Sequence, residues 1–242
     1  MKCRSTIWFL LISMTAQAQG KSTALFRQVW LGYFNQTRIS RHWGLWLDLQ
    51  YRTREDLFSG ISQWAIRPGI SYHLSNRTMI TAGYAYFHNE PLDGIRTVAQ
   101  PEHRPWQQVQ WQRGAVQQTF RLEERFRRKY TTDSTLAGDY GFYYRARYNF
   151  LYSLPLPGHW PRAHKAAIIL NDELSINFGK QVVYNYFDQN RFFAGVRFRV
   201  ARSGMIQSGY MHQFQQLSSG NQYRSVHAVR LSYLHQIDLR KP

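Results

Sequence analysis

Hydrophobic and polar residues alternate along most of this chain with a period of two. Over 43–54, Trp43, Leu45, Leu47, Leu49 and Tyr51 occupy one parity, and Gly44, Asp48, Gln50, Arg52 and Arg54 the other. Over 140–154, Tyr140, Phe142, Tyr144, Ala146, Tyr148 and Phe150 oppose Gly141, Arg145, Arg147 and Asn149. Successive side chains of a strand point to opposite faces, so this pattern predicts strands with one apolar face and one charged face. The segments 62–73 and 192–200 read the same way. Three others are noisier: 115–128 puts Gln118 and Glu124 among its apolar positions, 166–178 misplaces Asp172, and 226–239 is mixed. Weaker strands fit 25–36, 78–89, 105–112 and 205–215. No segment sustains a helical period.

Short turns, as at Ser40-Arg41-His42, Ser75-Asn76-Arg77, Arg113-Gly114 and Arg202-Ser203-Gly204, separate some strands. Longer loops near 55–61, 90–104, 129–138, 179–190 and 216–222 separate others, and a Pro-rich connector over 155–165 falls on the short-turn side. Short turns alternating with longer loops are the plan of an outer-membrane barrel, the short turns facing the periplasm. A soluble barrel points its apolar face inward, and a membrane barrel points it at lipid. Strands of about 10–14 residues are long enough to cross a bilayer when tilted. Aromatics gathered at strand ends suit its two interfaces. The expectation is an all-β protein, a single antiparallel transmembrane β-barrel. Eleven segments are visible, but single-chain bacterial barrels have an even number of strands, so about 12 are expected, with 10 as the alternative.

The N-terminus adds a destination. Lys2 and Arg4 precede the apolar run Ile7-Trp8-Phe9-Leu10-Leu11-Ile12, and Ala16-Gln17-Ala18 has the form of a cleavage site. These are the three parts of a secretory signal peptide. The expected organisation is therefore a signal peptide over 1–18, cleaved near Ala18, and a barrel over 19–242 in the outer membrane of a Gram-negative bacterium. Cys3 is the only cysteine of 242 residues and leaves with the signal, so no disulfide framework is available.

Two stretches carry a family resemblance. One is Pro101-Glu102-His103-Arg104-Pro105-Trp106-Gln107-Gln108 followed by Phe120-Arg121-Leu122-Glu123-Glu124-Arg125-Phe126; the other is Asn171-Asp172-Glu173-Leu174 leading to Phe187-Asp188-Gln189-Asn190-Arg191 and Gly195. Together with the opening hairpin over 25–54, they resemble an outer-membrane β-barrel group, domain-of-unknown-function family 2490. The motif positions are Glu102, Arg104, Trp106, Gln108, Asn190, Arg191 and Gly195. The resemblance implies fold and location and supplies no catalytic residue, cofactor or ligand. The C-terminus departs from the usual assembly signal: Arg240-Lys241-Pro242 follow Leu239, and no terminal aromatic is present.

Charge then gives the chemistry of the interior. Lys and Arg number 31 against 14 Asp and Glu, a formal net charge of +17. Turning the polar faces inward lines the lumen with Arg52, Arg54, Arg67, Arg121, Arg125 and Arg127. Arg145, Arg147, Arg197 and Arg199 join them, against only Asp48, Glu123 and Glu173. Arg121, Glu123 and Arg125 are expected to interlock with Arg145, Arg147 and Glu173 through guanidinium–carboxylate pairs. Two outcomes follow. The network either fills a narrow barrel as a structural plug, or lines a narrow channel that attracts small anions.

An outer-membrane lipid-modifying enzyme of the esterase or deacylase type is the alternative. Only Ser71 and His73 hint at it, two residues apart and without an orienting acid. His88, His103, His212, His227 and His235 show no metal-ligand spacing, and no cofactor motif is present. The export signal and the greasy faces argue against nucleic acid despite the basic charge. Expected partners are outer-membrane lipid, lipopolysaccharide phosphates near Arg127-Arg128-Lys129-Tyr130, small anions, and the barrel assembly machinery during insertion.

Overall fold

The alternating segments form eleven strands in a computed structural model that describes residues 21–54, 60–91, 97–156 and 166–240. The signal-peptide segment 1–18 lies outside the described residues. In chain order the strands are β1 (Ser22–Arg38), β2 (Trp43–Thr53), β3 (Ile61–His73), β4 (Thr78–Asn89), β5 (Gln100–Arg113), β6 (Val116–Tyr130), β7 (Leu136–Pro155), β8 (Ala166–Phe178), β9 (Phe187–Arg199), β10 (Gly204–Gln216) and β11 (Gln222–Asp238). Each pairs with its chain neighbours, and β11 returns to β1 to close the barrel.

The strand count corrects the expectation of twelve or ten. An up-and-down barrel with an odd number of strands must close with its first and last strands running in the same direction. β1 and β11 pair in parallel, in unbroken register from Ser22 opposite Gln222 to Arg38 opposite Asp238, and every other pair is antiparallel. This closure leaves no sheet edge exposed. It also sends the start of β1 and the end of β11 to opposite ends of the barrel.

One end carries the connections 39–42, 74–77, 114–115 and 200–203, along with 156–165. The other carries 54–60, 90–99, 131–135, 179–186 and 217–221. These are called the turn end and the loop end below. The two-residue turn 114–115 uses Gly114 at φ 57°, as a tight hairpin requires.

The largest difference from the sequence reading lies in β5. It begins at Gln100, inside the stretch expected to be a loop. Pro101 and Pro105 disguise it, because proline cannot donate to a sheet ladder and argues against a central strand. Both sit at outward parity, opposite His88 and Tyr84 of β4.

Side-chain burial is inverted relative to a water-soluble barrel. On β2, Asp48 is 1% exposed, while Leu45 and Leu49 on the other face are 47% and 37% exposed. Trp43, Ile66, Ile70, Phe120, Leu170 and Phe198 extend this apolar exterior around the wall. Two apolar clusters also stand inside. Phe26, Trp30, Ile169, Phe193, Met211 and Val226 line the wall formed by β8–β11 and β1. Ala65, Ala85, Phe87 and Trp106 form a smaller cluster on β3–β5.

Glycine pairs bend the wall at two seams. Gly69 faces Gly83 between β3 and β4, and Gly195 faces Gly209 between β9 and β10. A Cβ at Gly83 would fall 2.2 Å from the Pro68 carbonyl oxygen, and one at Gly195 would fall 2.3 Å from that of Ser208. Only glycine admits so close an approach, a device that gives a barrel its corners. The Trp106 and Phe193 rings fill the space a side chain would need.

Candidate functional site

Alternation along β5 to β9 brings five carboxylates and eight arginines together inside the barrel, counting Asp48 and Arg67 from β2 and β3. Glu102 is fully buried and takes Arg104 Nε at 2.7 Å, Arg127 Nη2 at 2.7 Å and Arg125 Nε. Glu123 takes Arg147 at 3.2 Å, Arg104 at 3.5 Å and Arg121 at 3.9 Å. Glu173 takes Arg191 at 3.3 Å and Arg147 at 3.5 Å. Asp188 takes Arg145 at 2.7 Å, and Asp48 takes Arg67 at 2.9 Å. Arg104 and Arg147 each bridge two acids, so Glu102, Glu123 and Glu173 form one connected chain across β5, β6, β7, β8 and β9. Removing so many charges from water is tolerable only because the planar guanidiniums satisfy the carboxylate oxygens from several sides.

A bulge positions Asp188. The β8–β9 register shifts at Ser175 and Ile176, so Asp188 and Gln189 both turn inward. Asn177 Nδ2 donates to Asp188 at 3.2 Å.

The expected interlock is present in part. Arg121, Glu123, Arg147 and Glu173 meet as described, but Arg125 turns to Glu102 and Arg145 to Asp188. Arg54 and Arg199 lie exposed at opposite rims, donating to the carbonyls of Pro91 at 2.9 Å and Arg202 at 3.2 Å. Neither touches a carboxylate among the described residues.

Arg52, Arg197 and Arg230 have no carboxylate within 4 Å among the described residues. Arg52 stacks 3.7 Å from the Trp30 ring centre and donates to Gln50 at 3.0 Å. Arg197 donates twice to Gln207, at 3.1 and 2.8 Å. Arg230 lies over the Phe34 and Phe193 rings, at 5.6 and 5.4 Å.

Sequence reasoning had placed Glu102 and Arg104 among the resemblance positions and not in the lumen. Their signal was the alternation Glu102, Arg104, Trp106, Gln108, four residues that all face inward and are buried. Of the other motif positions, Arg191 joins Glu173, Gly195 makes the β9–β10 corner, and Asn190 faces outward, donating to Asp172 at 2.9 Å.

The lumen holds two cavities. One of about 820 Å³ opens toward the loop end, and one of about 260 Å³ toward the turn end. Trp30, Arg52, Arg147 and Arg191 line both, so they mark the junction. Arg191 lies 5.2 Å from the same Trp30 ring that Arg52 covers.

The remaining candidates are engaged elsewhere. The buried Ser71 hydroxyl pairs with Thr81 Oγ1 at 2.9 Å, and no hydrogen bond joins it to His73. In the basic run 127–130, Arg127 is held by Glu102, Arg128 Nε donates to the Ala137 carbonyl at 2.7 Å, Lys129 pairs with Asp139 at 2.6 Å, and Tyr130 donates to the Val98 carbonyl at 2.9 Å. On the outer face, His103, His227 and His235 pair with the hydroxyls of Tyr84, Tyr210 and Tyr33. Among the described residues no three His, Cys, Asp or Glu side chains gather as a metal site.

A family model described as "Protein of unknown function (DUF2490)" matches residues 27–224, a span that includes all five lumenal carboxylates. No curated protein matches the chain.

Proposed function

This chain belongs to the DUF2490 family, and from that premise we propose that it is an integral β-barrel of the Gram-negative outer membrane with a narrow, arginine-lined lumen that favours small anions. The observation that carries the reading is the inversion of faces. The charged network lies inside, and most of the large exposed apolar side chains lie outside. In water that exterior would be a very large exposed apolar area, whereas in a bilayer it is the surface lipid requires. Export by the signal peptide over 1–18, insertion by the barrel assembly machinery, and contact with membrane lipid and lipopolysaccharide all belong to this reading.

Anion preference follows from the charge balance of the lumen. The acids are consumed by pairing, and Arg52, Arg197 and Arg230 have no ion-pair partner among the described residues. Fixed positive charges against a low-dielectric wall attract anions and exclude cations. A second reading, a barrel closed at the junction, draws on the crowding of Trp30, Arg52, Arg147 and Arg191 between the two cavities.

Planar-bilayer conductance on the detergent-purified protein tests these readings. The channel reading expects anion-selective current whose selectivity fades as salt screens the arginines. A silent bilayer, with insertion verified separately, supports the closed barrel. Full solubility of the monomer without detergent overturns both. Leu47→Arg, on the outer face, is expected to weaken insertion by about 2–4 kcal/mol if it meets mid-bilayer lipid.

A further inference from the structure

The cavity at the turn end is unbalanced in its hydrogen bonding. Five buried N–H donors on residues that line it have no hydrogen-bond partner among the described residues: Trp46 Nε1, Arg52 Nε, Arg67 Nε, Gln108 Nε2 and Arg147 Nε. The orientation of Gln108 is set, because its Oε1 already accepts from Arg121 Nε at 3.0 Å and Nη2 at 2.6 Å. Among the described residues of this wall, the single unpartnered buried oxygen is the Ser232 hydroxyl. Buried polar groups in folded proteins are nearly always satisfied, and leaving a donor unmet is costly.

The acids of the wall do not answer these donors. Asp48 is held by Arg67 and by Gln50 at 3.0 Å, and Glu173 by Arg147 and Arg191. Arg52 and Arg230 have no carboxylate within ion-pair distance among the described residues. Water meets such a wall poorly, because each molecule brings two donors of its own along with its acceptors. An oxyanion brings acceptors and negative charge together, and in this wall two carboxylates stand against seven arginines.

We infer that the cavity at the turn end is a binding site for a small oxyanion, a solute bearing a carboxylate or a phosphate. Arg52 makes the principal contact. Its guanidinium lies over the Trp30 ring and has no ion pair among the described residues to give up. Arg147 and Gln108 supply further donors, and Arg230 supplies charge. The volume of about 260 Å³ leaves room for a body larger than the oxyanion itself. The inference rests on the arginine-lined-lumen reading and adds a resident site to it.

The test is a titration of the full chain, folded in detergent micelles, with inorganic phosphate, glucuronate and glucose. Calorimetry and tryptophan fluorescence, to which Trp46 contributes, report binding. Saturable binding of phosphate or glucuronate is expected, with none of glucose, and the stronger of the two identifies the source of the oxyanion. Arg52→Gln is expected to weaken binding at least tenfold. Arg230→Gln should weaken it several-fold, and Arg199→Gln at the rim should leave it unchanged. Neither Arg52 nor Arg230 holds an ion pair, so the folded barrel survives both changes. Failure of both anions to bind the folded protein overturns the site, as does binding indifferent to both Arg52→Gln and Arg230→Gln. Conductance separates the two ideas. Binding with a silent bilayer supports the site and defeats the channel, and anion current without saturable binding defeats the site alone.

Discussion

The interior has two walls built on different physics. From β5 to β8 it is ionic: Glu102, Glu123 and Glu173 are each shared among two or three guanidiniums. From β9 through β11 to β1 it carries the larger apolar cluster, with Phe193, Met211, Val226, Phe26 and Trp30 packed together. Strand geometry is the same in both, and so is the rule of alternation. What differs is how each wall fails. In the apolar wall a lost group leaves a cavity, and the cost scales with its volume. In the ionic wall a lost acid leaves arginines facing one another away from water, and the cost scales with the charge stranded.

Three substitutions measure that difference, each read as the shift in unfolding of the detergent-solubilised barrel. Glu102→Gln has the largest expected effect. It strands Arg104, Arg125 and Arg127 around a neutral amide, and a loss of about 3–5 kcal/mol is expected. An unchanged unfolding temperature would show that the ionic wall is solvated and not structural. Met211→Ala comes next, at about 2–3 kcal/mol, from the hole it opens in the apolar wall. If it costs more than Glu102→Gln, the ranking of the two walls is reversed. The smallest effect is expected from a double change, Asp48→Asn with Arg67→Met. Removing both members of a buried pair is often near neutral, so a shift within about 1 kcal/mol is expected. A loss as large as that of Glu102→Gln would mean that this pair anchors the wider network.

The same contrast explains which strands were readable. β2 and β7 announce themselves because every inward residue from Asp48 to Arg52, and from Arg145 to Asn149, is polar against an apolar exterior. β1, β4 and β10 read weakly because Phe26, Trp30, Phe87 and Met211 face inward, so both faces are apolar and the period-two contrast vanishes. β6 and β8 are blurred from the other side. Gln118 faces out to accept from the Tyr148 hydroxyl, and Asp172 faces out to accept from Asn190. The pairing of Glu123 with Arg147 was legible because both residues obey parity on adjacent strands. The role of Glu102 was not, because Pro101 and Pro105 hid the strand that carries it. Asp188 enters the lumen through a bulge, and a single extra residue leaves no mark in the periodicity. The odd strand count was visible in the eleven segments and was set aside in favour of the even-number rule, which parallel closure does not obey.

The two glycine corners have a mechanical consequence. They stand across the lumen from each other, with β4–β9 forming a shell of six strands on one side and β10, β11 and β1–β3 a shell of five on the other. At each corner one facing pair of residues carries no Cβ, and the two strands close in on each other there. Arg147 and Arg191 ride on the larger shell, and Trp30 and Arg52 on the smaller. A change of angle at these corners would alter the gap across which those guanidiniums and that indole face one another, where the two cavities meet.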